Sequence, residues 1–287
     1  MKRYLILMRP LEWIKNVFLF AALIFGHKLS DPVSIGRAIA GFICFSLASS
    51  SIYIFNDILD CQADKLHPAK SKRPIAARTV STTKAAILSI VCTAIAVAGS
   101  LILAQKFTLI IVSYIGMMIF YSLFFKKIMI LDCIIISVGF CLRAIAGAVL
   151  VNVYASPWLL VCTFALCMFM AFGKRKSEIA KLGQNGESFR ATLGGYTPEL
   201  LSHMINVSSG IAFTCFLLYS MDTRTINLFG SNHLVYTTPL VLYCIFRYSA
   251  LLQNGKYSDP TQIILKDISL QIAFFLWILS CIIIIYI

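Results

Sequence analysis

The 287-residue chain reads as an all-α integral membrane bundle of nine transmembrane helices, on three observations. Apolar residues make up 59% of it and charged residues only 13%, where soluble domains hold roughly half and about a quarter. Its mean hydropathy is +0.85. The apolar residues form continuous runs of about 20, the length a helix needs to cross the hydrocarbon core, and not the alternating runs of a membrane β-barrel.

In chain order, the leading stretch MKRYLILMRPLEWIKN has a basic start and a short apolar patch, Tyr4 to Met8, that Arg9, Pro10 and Glu12 interrupt. No small-residue cleavage site follows, so it reads as an interfacial segment with Trp13 at headgroup level and not as a removable signal peptide. Spans are expected at 14–29, 36–56, 85–104, 107–125, 131–151, 157–173, 203–221, 234–252 and 267–286, as one transmembrane domain over 1–287. The first is short, and the third and fourth share a tight turn at Gln105-Lys106. Ten cysteines, nearly all inside apolar runs and without a C-x-x-C pair, suit small residues filling helix interfaces. Only Cys61 departs from that setting, and no Cys/His metal-ligand spacing occurs.

Charge bias sets the orientation. Of 25 Lys and Arg, 20 fall in the N-terminal segment, in the loops after spans two, four and six, and around the end of span eight. The other side keeps Lys28, Arg37, Lys106 and Arg224, while Arg143 lies inside span five. The N-terminus and the basic loops are therefore expected in the cytoplasm, and the positive balance reads as membrane topology and phosphate binding, with no nucleic-acid partner.

That bias does not explain NDILDCQADKLHPAKSKRPIA, residues 56–76, where Asp57, Asp60 and Asp64 precede Lys65, Lys70, Lys72 and Arg73. On a continuous helix the three aspartates stand at i, i+3 and i+7, on one face. Such carboxylates repel unless a cation sits between them, and oxygen-only ligands, with Asn56 adding a neutral oxygen, suit Mg²⁺ bridging to substrate phosphates. A solvated helix end balanced by nearby lysines is the other reading.

A second cluster, FGKRKSEIAKLGQNGESFRATLGGY, holds Lys174, Arg175, Lys176, Glu178, Arg190 and Tyr196. Basic groups beside a metal-binding acidic motif suit a diphosphate or phosphosugar; attraction to anionic headgroups is the alternative, preferred for Lys176 and Lys181. A third set places Tyr121, Lys126 and Asp132 around the end of span four. Arg143, about 12 residues into span five, is expected to face a wet cavity or to pair internally with Asp132 or another acid, because an unpaired charge there costs about 2.5 kcal/mol or more.

RPLEWIKN, N-D-x-x-D-x-x-x-D after the second span and Y-x-x-x-x-K after the fourth resemble the UbiA superfamily of intramembrane prenyltransferases, over essentially the whole chain. That resemblance implies nine helices around a central cavity open to the cytoplasm and to lipid. Family members usually carry a second aspartate-rich motif after span six; here GKRKSEIAKL stands in its place. This replacement, with DKLHPAKSKRPIA, LRAIAGAV, SFRATLGGYT and CIFRYSALL, is similar to the decaprenyl-phosphate phosphoribosyltransferase branch.

The branch resemblance implies Mg²⁺-dependent transfer of 5-phosphoribose from phosphoribosyl diphosphate (PRPP) to a polyprenyl phosphate, for cell-envelope polysaccharide synthesis at a bacterial cytoplasmic (inner) membrane. In that reading Asp57, Asp60 and Asp64, with Asn56, bind the metal; Arg73, Lys126 and Tyr121 hold phosphate oxygens; Lys174, Arg175 and Arg190 hold the remaining phosphates. Arg143 counts among the substrate-binding residues, Glu178 either orients a basic neighbour or contacts ribose hydroxyls, and Arg9 and Lys15 receive the lipid phosphate. No general base is needed, because the attacking phosphate oxygen is already ionised. The alternatives are a prenyltransferase acting on an aromatic acceptor, and a transporter, which would place polar groups near the midplane. Oligomeric state stays open.

Overall fold

The computed structural model describes residues 2–66, 70–182, 191–254 and 260–287, and among these all regular structure is helical. Eight of the helices are long and apolar enough to cross a membrane, and the protein is an integral membrane protein. The chain divides into two compact units, Met1–Lys126 with Leu142–Tyr154, and Lys127–Cys141 with Ala155–Ile287.

The first unit opens with a short helix α1, Lys2–Met8. The expected span at 14–29 is not one α-helix: a 3-10 helix over Pro10–Phe20 runs into a short α-helix, α2, Ala21–Phe25. Their periodicity explains the difference. A 3-10 helix turns once in three residues, and Trp13 is half-buried and Asn16 and Leu19 are buried at that spacing, while Leu11, Ile14 and Val17 are exposed at the same spacing. The larger rise per residue makes the two pieces together about 30 Å long, comparable with the hydrocarbon core.

Helix α3, Pro32–Leu59, is capped by Asp31, whose carboxylate accepts the Val33 N–H at 3.1 Å. Its 28 residues make it about 42 Å long, which leaves its polar Asn56–Asp57 end room to stand at the headgroups. A further short helix, α4, Cys61–Leu66, follows directly. Helices α5, Thr82–Leu103, and α6, Gln105–Leu123, are joined through Ala104 in an extended conformation. Leu7, Ile54, Ile75, Val80 and Ala85 form a small core that fastens the 70–80 loop beneath the end of α3.

Helix α7, Leu131–Leu150, agrees with the expected fifth span. Helix α8, Pro157–Leu182, runs past the expected residue 173 and carries the basic cluster on its extension. In the second unit α8 packs along α9, Pro198–Met221. The short helix α10, Thr223–Phe229, and a 3-10 turn, His233–Thr237, lead to α11, Thr238–Gln253. The short α12, Pro260–Lys266, then precedes α13, Ile268–Tyr286. Phe169, Phe172, Leu201, Ile245, Tyr248 and Leu270 lie in its core. Arg247 donates to both oxygens of Asp267 at 3.1 and 2.8 Å, and Asp267 caps α13 by accepting the Leu270 N–H. All ten cysteines are free thiols.

Within the first unit α7 approaches the 3-10 helix closely at Gly147. A Cβ there would lie 1.9 Å from the Leu19 carbonyl oxygen, whereas one on Gly36 would meet nothing within 4 Å. Gly147→Ala is therefore expected to destabilise the fold by about 1–3 kcal/mol through overpacking, seen as a lower Tm in detergent, while Gly36→Ala leaves Tm unchanged or slightly raised.

Candidate functional site

The acidic motif does not lie on one uninterrupted helix. Asp57 occupies the last turn of α3, Asp60 is the residue between α3 and α4, and Asp64 belongs to α4. Backbone bonds from Asp60 N to Asn56 O (2.9 Å) and from Asp64 N to Asp60 O (2.8 Å) nevertheless keep a helical path through the junction. Asp57 and Asp64 therefore still share a face, as their spacing requires. One guanidinium nitrogen of Arg73 donates to Asp57 Oδ1 at 2.9 Å and to Asp64 Oδ2 at 2.7 Å. Arg9 donates to the same Asp57 oxygen. Asp60 turns elsewhere and pairs with Lys126, which also reaches Asn56 Oδ1 at 3.5 Å.

Three carboxylates are thus matched by three cations, which removes the mutual repulsion that makes an acidic helix end costly. Two unit charges 4 Å apart interact by about 4 kcal/mol near a protein surface. Among the described residues no three His, Cys, Asp or Glu side chains converge as a ready metal site, because Arg73 stands between Asp57 and Asp64. The donor set still fits a hard divalent cation such as Mg²⁺. Each carboxylate spends one oxygen on its cations, and among the described residues Asp57 Oδ2, Asp60 Oδ2 and Asp64 Oδ1 make no hydrogen bond or ion pair.

Arg9 is held in place by backbone geometry as well as charge. It is left-handed, with φ of 51°, where the chain leaves α1 for the 3-10 helix, a conformation uncommon outside glycine. Its guanidinium lies 5.3 Å from the Tyr53 ring centre. Ser50 donates to Met8 O at 2.8 Å and accepts the Trp13 indole N–H at 3.0 Å, so α3 fastens the segment on both sides of Arg9. Lys15, expected beside Arg9 as a lipid-phosphate ligand, forms an ion pair with Glu12. Tyr121 is half-buried near the end of α6.

Deeper in the first unit, Arg143 is 4% exposed and stands about 18 Å from the start of α7. Its Nε donates to Asn16 Oδ1 at 2.7 Å, and an outer nitrogen donates to Tyr114 OH at 2.9 Å and Ser49 Oγ at 3.4 Å. Its guanidinium carbon lies 5.2 and 4.8 Å from the Phe45 and Tyr114 ring centres, the cation–π arrangement that offsets lost hydration. The expected pairing with Asp132 does not form; Asp132 takes Arg175. Asn16 also donates to Ser46 Oγ at 3.0 Å. Asn16, Ser46, Ser49 and Tyr114 were not singled out from sequence. The serines at helical spacing along α3 and a lone asparagine in an apolar stretch were their only signal.

In the second unit Arg175 is 2% exposed and lies between Asp132, at 3.4 Å, and Glu178. It is enclosed by these two acids. Tyr196 accepts the Ile130 N–H at 2.7 Å and donates to Asp132 at 3.3 Å. Burial pushes its phenol well above the ordinary tyrosine range, so it remains a proton donor. Ile130 is left-handed with φ of 68°, a strained conformation for a β-branched residue, and Tyr196 holds its amide. Lys174 is half-buried on α8, and Lys176 donates to Ser202 Oγ at 2.9 Å. Arg190 lies outside the described residues.

Comparison with known proteins gives a consistent result. The model for the UbiA prenyltransferase family matches residues 17–279. The decaprenyl-phosphate phosphoribosyltransferase of Mycobacterium tuberculosis is 31% identical over 274 residues, 94% of this chain and 90% of the relative. The protein so named in Mycolicibacterium smegmatis is 31% identical over 280 residues, 94% of this chain and 88% of the relative. A UbiA homolog from Archaeoglobus fulgidus, solved bound to GPP and Mg²⁺, has the same fold, with a TM-score of 0.74 and 19% identity over 99% of this chain and 100% of its own.

The burial of Arg175 has a measurable consequence. Arg175→Ala leaves the fully buried Asp132 without its guanidinium and is expected to destabilise by about 3–5 kcal/mol. Thermal unfolding in detergent measures it; a wild-type Tm with only a raised KM would instead make Arg175 a direct substrate ligand.

Proposed function

Because the chain belongs to the UbiA prenyltransferase family and is a transferase of that kind, we propose that it moves 5-phosphoribose from PRPP to a polyprenyl phosphate, releasing diphosphate. The supporting observation is an asymmetry of charge. The 56–76 motif gathers three carboxylates at one helix end, whereas the acid of the described part of the second cluster, Glu178, is bound to Arg175 among Lys174 and Lys176. A donor of prenyl groups gripped through two acidic motifs does not suit that second cluster; a phosphosugar with an extra phosphate does. Relatives named for this activity align over nearly the whole chain.

Asp57, Asp60 and Asp64, with Asn56, would hold Mg²⁺, which would offset charge on the departing diphosphate. Arg9, Arg73 and Lys126 lie within reach of the same oxygens and would grip phosphate in their turn. Tyr121 is proposed as a hydrogen-bond donor to phosphate, and Lys174 and Arg190 as ligands for further phosphate oxygens. Arg143, with its neutral partners Asn16, Ser49 and Tyr114, orients the leading segment and hence Arg9. Lys15, paired with Glu12, is left a weaker ligand for the lipid phosphate than Arg9. Attack by an already ionised lipid phosphate oxygen on the anomeric carbon, opposite the leaving group, needs no base and inverts the centre. We place the site on the cytoplasmic face because the basic loops gather there.

Purified protein incubated with Mg²⁺, polyprenyl phosphate and PRPP labelled in its ribose is expected to yield labelled lipid. Asp57→Ala and Asp60→Ala should each lower turnover about 100-fold or more, and chelation of the metal should abolish it. Absence of labelled lipid, with turnover of a prenyl diphosphate onto an aromatic acceptor, would replace this reading with the ordinary family chemistry.

A further inference from the structure

Two of the cations paired with the acidic motif, Arg9 and Arg73, stand where a metal ion would be drawn and are the outer partners of their pairs, whereas Asp60 is slightly more exposed than its partner Lys126. Side chains of Asp57 and Asp64 are 3% and 5% exposed, while Arg73 above them is 25% exposed and Arg9 is 24% exposed. Solvent therefore meets guanidinium groups before it meets those two carboxylates. We infer that Arg73 is a specificity-determining residue: it excludes free divalent cations from the acidic cluster and admits a cation already paired with a diphosphate. The inference rests on reading this cluster as the metal–diphosphate site.

Asp57, Asp60 and Asp64 balance Arg9, Arg73 and Lys126, so the cluster is neutral. A divalent cation arriving alone would add two positive charges beside Arg73 and would compete with the two contacts that one Arg73 nitrogen makes at 2.9 and 2.7 Å. The displaced guanidinium would then stand beside the metal with no anion to receive it. A diphosphate arriving alone would meet cations already satisfied, with Asp57 and Asp64 behind them and Asp60 beside Lys126.

The two arriving together exchange partners without leaving a charge stranded. The carboxylates of Asp57 and Asp64 give up Arg73 and take the metal. Arg73, Arg9 and Lys126 give up carboxylate oxygens and take phosphate oxygens. A guanidinium suits this because its planar array of N–H donors matches carboxylate and phosphate alike. Arg73 is the pivot because, among the described residues, it alone pairs with two of the acids. Its loop is anchored by Ala77 N to Arg73 O at 2.8 Å and by Ile75 and Val80 in the small core, so the exchange asks only the side chain to move. Linkage then requires that metal and diphosphate each raise the affinity for the other.

Calorimetry on the full chain in nanodiscs tests this with MgCl₂ alone and with the preformed magnesium complex of inorganic diphosphate. Arg73→Gln is expected to bind Mg²⁺ alone about tenfold more tightly than wild type, and the complex about tenfold more weakly, within the usual range of coupling between sites. Arg9→Gln, which frees the same Asp57 oxygen from a different element, should shift both affinities in the same directions and carries the test if Arg73→Gln does not fold. Unchanged or weaker binding of free Mg²⁺ in the folded variants would overturn the inference, as would failure of wild type to bind the complex more tightly than the metal. If the inversion is seen but labelled ribose never reaches lipid, the PRPP donor fails and the role of Arg73 stands.

Discussion

Carboxylates at the end of an apolar helix are tenable only if something nearby neutralises them, and in the first unit Arg73 does so for two at once. Its contacts with Asp57 and Asp64 bind the end of α3 to α4 and to the loop that returns over both. The other arrangements of that unit serve the same end. Leu7, Ile54, Ile75 and Val80 set the height of the loop, and the left-handed turn at Arg9 aims a second guanidinium at Asp57. Without these ion pairs the acids would repel one another across the helix junction at Asp60, which the backbone bonds alone would have to hold.

The second unit solves the converse problem. There the buried group is a cation, and the acids enclose it: Arg175 lies between Asp132 and Glu178, with Tyr196 closing the far side of Asp132. Burying such a group is costly unless it is fully paired, so this network is best understood as a fixture that orients the extension of α8. Lys174 and Lys176 stand on either side of Arg175 in sequence and remain partly exposed. A rotation of about 100° per residue thus separates the enclosed charge from two partly exposed ones.

The helical membrane architecture was legible because long apolar runs have few other solutions, and the boundaries of α7 and α13 agree closely with the hydropathy. The spacing of Asp57 and Asp64 correctly placed them together, because backbone bonds continue through the α3–α4 junction. Hydropathy could not reveal the 3-10 segment, since a window average is blind to whether the period is 3 or 3.6. Nor could sequence show that Arg175 is enclosed while Lys174 is not: adjacent basic residues look equivalent until Asp132 and Tyr196, from distant parts of the chain, come to lie beside one of them. Arg143 was recognisable as exceptional by its place in a span, but its neutral partners Asn16, Ser49 and Tyr114 are assembled only by folding.

The 3-10 helix has a bearing on how this protein can change over time. Its side chains fall into register in steps of about 120°, so Trp13 meets Ser50, Asn16 meets Ser46, and Leu19 lies against Gly147. One residue lost within the segment would shift that phase by a whole step and turn Ile14 and Val17 inward in their place, and one gained would turn Glu12 and Lys15 inward. Arg9, at its head, would be carried off Asp57. Point substitutions on the lipid side are cheap by comparison. Divergence in this stretch should therefore proceed by replacement and almost never by a change of length.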